Sequence, residues 1–177
     1  MPVYTKAQTY AISLLRKLRS VRRDQLHWLI ECEYPDARPP AVTEMRRLTH
    51  LGKAVNDGTY YYWPGCKLDA DLIIALDIMW KVTGDGIPVF EIKKAPCKLL
   101  FHVIMGDNTF AFRVYFPKPG EERACRAEVE ATEFPDGHAV IFYIEGRSQI
   151  PLLDIERSHI FVCPGMNGRY EYISGRP

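Results

Sequence analysis

Apolar spacing changes character once along this chain, at Thr83-Gly84-Asp85-Gly86, and that change limits what the chain can fold into. Before it, apolar residues mostly recur every three or four positions, as on one face of a helix. After it, from Ile87 onward, they fall in short β-type runs separated by turn residues. With 177 residues and 47% apolar content, the chain can bury one large core or two small ones. The expectation is an α+β protein in two parts.

The first stripe runs from Ala7 to Leu18 through Tyr10, Leu14, Leu15 and Leu18, with Thr5 placed to cap the helix. A break at Ser20-Val21 precedes a second helix from Arg23 to Glu31 carrying Leu26, Leu29 and Ile30. Pro35, Pro39 and Pro40 stop it, because proline lacks the amide a helix interior needs. Pro39 and Pro40 suit the first turn of a third helix, Ala41 to Leu51. Met45, Leu48 and Leu51 share one face of it, Thr43, Glu44, Arg46, Arg47 and His50 point elsewhere, and Gly52 supplies the left-handed stop. Asn56-Asp57-Gly58 then joins Lys53-Ala54-Val55 to Thr59-Tyr60-Tyr61-Tyr62-Trp63, which reads as a β-hairpin. Three helices followed by a hairpin is the order of a winged helix-turn-helix.

A fourth amphipathic helix is expected from Asp69 to Val82. Strands follow at Lys98–Met105, Thr109–Phe116, Ala139–Glu145, His159–Cys163 and Arg169–Ile173, with a helix over Glu121–Thr132. The domain reading is therefore a winged helix-turn-helix over 1–66, a bridging helix and linker over 67–84, and a small α+β sheet domain over 85–177.

The net charge of +1 hides an asymmetry: ten Lys or Arg against six Asp or Glu up to Cys66, but eleven against thirteen from Asp85 onward. Phosphate binding depends on local patches, so the basic excess favours the N-terminal part as a nucleic-acid reader. Five scattered cysteines, none closely paired, argue against a disulfide framework or a zinc finger and predict buried structural thiols. No run approaches the roughly 20 apolar residues that span a bilayer, and the first residues lack a secretory apolar stretch, so a cytoplasmic protein without membrane contact is expected. No glycine loop or nucleophile motif implies a cofactor or covalent chemistry.

On the third helix, Thr43, Arg46, Arg47 and His50 can reach a major groove, where arginine reads guanine and hydroxyls meet bases or phosphates. Arg22, Arg23 and Lys53 are placed for phosphates, and Asn56 and Thr59 on the hairpin for the backbone or minor groove. Two other readings compete: a winged helix used only as a protein adaptor, and a metal-dependent nuclease using Asp85, Glu91 and Lys93, a Glu-x-Lys pattern that can hold Mg²⁺ beside a phosphate.

Leu14-Leu15-Arg16 to Leu18, Arg23-Asp24-Gln25-Leu26, Met45-Arg46-Arg47-Leu48 to Leu51-Gly52-Lys53 and the Tyr-rich hairpin resemble winged-helix proteins of plasmids and conjugative elements, including replication-relaxation proteins. Leu99-Leu100-Phe101, Val114-Tyr115, Ile141-Phe142 and Gly168-Arg169-Tyr170-Glu171-Tyr172 resemble an uncharacterised Gram-positive mobile-element family, so the resemblance covers nearly the whole chain. It implies binding of double-stranded DNA by a regulator or accessory factor of a mobile element. It also implies a decayed nuclease-like second domain, since Thr109–Phe116 and Ala139–Ile144 carry no acidic residue. That domain is expected to serve a homodimer or a protein partner.

Overall fold

The computed structural model describes residues 4–84, 86–135 and 137–175. It is a mixed α+β protein that divides into two compact units, Met1–Pro88 and Val89–Pro177.

In the first unit the order is α1 (Lys6–Leu18), β1 (Ser20–Arg22), α2 (Arg23–Glu33), α3 (Ala41–His50), β2 (Val55–Asn56), β3 (Tyr60–Tyr62) and α4 (Ala70–Thr83). Thr5 caps α1 as expected: its hydroxyl accepts from the Gln8 amide while the Gln8 side chain accepts from the Thr5 amide. A tripeptide strand, β1, replaces the simple break expected between the first two helices. It pairs antiparallel with β3, which also pairs with β2, giving the strand order β1-β3-β2. Leu15, Leu18, Leu26, Leu29, Ile30, Met45, Leu48 and Tyr61 are fully buried.

α4 lies within this unit. Trp80 stacks on Trp28 of α2 at 5.0 Å between ring centroids, and the Gln25 side chain donates to the Ile73 carbonyl at 2.8 Å. Ser20 Oγ accepts from the amide of Asp69, which itself caps α4 by accepting from Leu72.

The second unit is a six-stranded sheet: β4 (Val89–Ile92), β5 (Cys97–Met105), β6 (Asn108–Tyr115), β7 (His138–Tyr143), β8 (His159–Pro164) and β9 (Tyr170–Ser174), paired in that order. β4, β5 and β6 form an antiparallel meander; β7 and β8 join parallel to β6, and β9 closes antiparallel on β8. Parallel pairing needs crossovers. α5 (Glu122–Ala131) supplies the first and the single turn α6 (Ile150–Leu153) the second. One face of the sheet, with Tyr115, Val140, Phe142 and Phe161, packs with Cys125 and Val129 of α5 and Leu153 of α6.

All five cysteines are free thiols. Cys97, Cys125 and Cys163 are buried, and burial pushes the Cys97 thiol up to about 11 and the Cys125 thiol up to about 12, so neither is a reactive thiolate. Cys32 and Cys66 are only half-buried, where buried thiols were expected. Among the described residues no helix is long and apolar enough to cross a membrane.

Candidate nucleic-acid interface

α3 is positioned from below by its apolar face and by one carboxylate. Met45 and Leu48 are fully buried, as their spacing predicts. Leu51, expected on the same face, is 51% exposed because the helix ends at His50 and Leu51 is its C-terminal cap. Gly52 follows with φ +66°, the left-handed conformation expected of it.

Glu44, read from the sequence as facing away from the core, is 1% exposed. The capping geometry of α1 explains this. The Thr5 hydroxyl uses a lone pair to cap the helix, which leaves its proton free to reach Glu44 Oε1 at 3.2 Å, and Gln8 Nε2 donates to Glu44 Oε2 at 2.6 Å. A buried carboxylate held by two donors fixes the rotation of α3 against α1. Helical periodicity does not reveal this burial, because the partners of Glu44 lie 36 and 39 residues earlier.

With that face turned inward, Arg46, Arg47 and His50 are exposed and Thr43 is half-buried. Arg47 is 56% exposed and stands 3.9 Å from Glu44, at the limit of an ion pair, while Arg46 has no hydrogen-bond or ion-pair partner among the described residues. His50 and Arg47 line an open cavity of about 410 Å³ with Tyr4, Thr5, Gln8 and Leu51. Lys53 is exposed just beyond the helix, and its amide closes the turn on the Leu48 carbonyl.

Arg23 sits at the start of α2 and donates from Nη1 to the Gly58 carbonyl at 2.9 Å, tying α2 to the hairpin tip. A cleft of about 430 Å³ opens there between Arg23 and His27 of α2, Val42 of α3 and Gly58-Thr59 of the hairpin. Burial and the nearby Arg23 hold the His27 imidazole below its usual range. The exposed tip is built by Asp57, whose carboxylate accepts from the amides of Tyr60 and Thr59 and from the Tyr62 hydroxyl. Those bonds, led by the Tyr60 amide, hold it below the ordinary carboxylate range. The expected hairpin contacts Asn56 and Thr59 are both exposed, although Asn56 Oδ1 is occupied by the Gly58 amide.

Arg22 must be corrected. Expected to meet phosphates, it instead forks onto Asp77 of α4, with Nη1 to Oδ2 at 2.9 Å and Nη2 to Oδ1 at 2.7 Å, while its Nε reaches Asp24 at 2.6 Å. All three guanidinium nitrogens are engaged inside the unit, which removes Arg22 from the interface. Its partner lies 55 residues away in sequence, beyond the reach of any local pattern.

Of the three residues of the nuclease reading, two lie within the described part of the chain. Lys93 Nζ pairs with Glu91 Oε2 at 2.6 Å, Asp85 lies outside the described residues, and no cluster of three or more His, Cys, Asp or Glu among the described residues could hold a metal. Where parallel β6 and β7 end, a structural network fills the space: Gln149 donates to Glu122 at 2.9 Å and to the Pro117 carbonyl at 3.3 Å, and accepts from the Glu145 amide at 2.8 Å. At the other end of β7 a cavity of about 690 Å³ is lined by Arg126, Phe134, His138 and Arg157, with Arg126 already paired to Glu130.

No protein-family model matches the chain, and comparison with curated proteins returns no match.

Proposed function

We propose that the first unit is a winged helix-turn-helix that binds double-stranded DNA, laying α3 in the major groove with the β2–β3 hairpin beside it. One observation carries this reading: Arg46 and Arg47 face outward from a helix whose inner face is fixed by Met45, Leu48 and the buried Glu44. The element order α1-β1-α2-α3-β2-β3 with a β1-β3-β2 sheet supports it, since that arrangement sets a hairpin directly beside the helix that reads. Arg46 and Arg47 serve bases or phosphates, Thr43 and His50 extend the same face, Lys53 and Arg23 meet flanking phosphates, and Asn56 and Thr59 are the polar contacts of the hairpin.

The antiparallel meander, helical crossover and parallel strand of the second unit support reading it as a decayed nuclease-like scaffold. β6 and β7 carry no acidic residue, which favours a scaffold turned to dimerisation or partner binding over one that cleaves. The whole is read as a cytoplasmic regulator or accessory factor of a mobile element, akin to the winged-helix proteins of plasmids and conjugative elements.

Replacing Arg46 and Arg47 together by Ala tests the interface. Duplex affinity should fall roughly tenfold or more at about 0.1 M salt, and the slope of log K against log salt should flatten by about two units. An altered protein that matches the parent in both respects removes α3 from the interface. Absence of DNA affinity in the parent at low salt, with a protein co-purifying, would point to an adaptor instead.

A further inference from the structure

The hairpin tip carries a negative charge where a DNA-binding unit has most to lose from one. Asp57 is exposed, and its three acceptor bonds to Thr59, Tyr60 and Tyr62 hold the carboxylate in one place. Gly58 and Thr59, next along the chain, line the same cleft as Arg23 and as Val42, the neighbour of Thr43 on α3. The charge is thus fixed at the hairpin tip, next in sequence to residues that share a cleft with the first turn of α3, and no cation among the described residues pairs with it.

We infer that Asp57 limits the affinity of this unit for DNA by repelling phosphates at the hairpin tip, so that the contacts of Asn56 and Thr59 stay weak while α3 does the reading. This rests on the DNA-binding reading above and extends it to how tightly, and through which element, the unit holds its ligand. A carboxylate fixed by three hydrogen bonds cannot swing aside when phosphates approach, whereas a mobile one can. Across roughly 5 Å of water, like unit charges change a binding constant by a few fold, and partial exclusion of water increases the effect. Non-specific binding is almost wholly a phosphate interaction, so the same repulsion falls hardest on DNA without the right bases.

Asp57→Asn isolates the charge. Its carbonyl oxygen keeps the Thr59 and Tyr60 amides as donors, and its amide can donate to the Tyr62 oxygen, so the turn is preserved. The full chain, titrated with a random duplex, should bind about three to ten times more tightly after D57N at about 0.05 M salt, with the gain vanishing toward about 1 M. Glu33→Gln makes the same net-charge change at the far end of α2, about 15 Å along the helix, and should leave binding within about twofold of the parent. Tyr62→Phe removes one hydrogen bond to Asp57 without altering charge and should give no gain.

The inference fails if D57N binds no tighter than E33Q, or if Tyr62→Phe tightens binding as much, since turn geometry rather than charge would then be responsible. A parent that binds duplex and loses affinity with R46A/R47A, yet gains nothing from D57N, overturns this inference alone. A parent without DNA affinity overturns both.

Discussion

Phe142→Ala should destabilise the second unit by about 3–5 kcal/mol, enough to unfold much of it at ordinary temperature. Phe142 is 0% exposed near the C-terminal end of β7. Its ring stacks on Phe161 of β8 at 5.7 Å and lies 5.9 Å from Tyr115 of β6, so it links three neighbouring strands on the face covered by α5 and α6. Truncation removes a large apolar area and leaves a void that flanking strands, held by ladder hydrogen bonds, cannot close. Phe142→Leu should cost clearly less, about 1–2 kcal/mol, because it restores most of the volume. Denaturant unfolding measures both, and a loss below about 1 kcal/mol for the alanine variant would show that the strands collapse onto the site.

Asp77→Ala should cost the first unit about 2–3 kcal/mol. The carboxylate accepts both Arg22 bonds and a third from Gln25 Nε2 at 2.8 Å. Removing it leaves a guanidinium that is only 30% exposed with Asp24 as its remaining partner, and deprives a buried amide of one acceptor. The loss stems largely from the groups left behind. Replacing both partners, Arg22→Met with Asp77→Leu, should therefore cost less than Asp77→Ala alone. If the double replacement costs as much as the sum of the single ones, the pair is not coupled and its role in seating α4 on β1 and α2 is mistaken.

Local chemistry made much of this architecture readable. The four helices, the Asn-Asp-Gly hairpin and the runs that became β5 to β9 lie within a residue or two of their expected bounds, because spacing and turn residues act over a few positions. β1 is not legible in the sequence, since three residues cannot display alternation; it is a strand only because Tyr60–Tyr62 pairs with it. The single turn α6 is likewise too short to display a period.

At the interface, the exposure of Arg46, Arg47 and His50 follows from helical phase, which is legible in the sequence. The fates of Arg22 and Glu44 do not, because each is decided by a partner on another element: Asp77 for one, Thr5 and Gln8 for the other. Had Asp77 been an apolar residue, Arg22 would have kept only Asp24 as a partner, two residues along the chain. A charged residue flanking a helix is assigned to solvent or to an ion pair by tertiary contact, which no local pattern encodes.

Salt dependence of duplex binding by the intact protein tests the central claim most directly. With Arg23, Arg46, Arg47 and Lys53 each meeting about one phosphate, log K should fall linearly with log salt at a slope of about −3 to −4. A slope near zero, or no binding at about 0.05 M salt, would contradict the assignment of α3 and its hairpin to DNA.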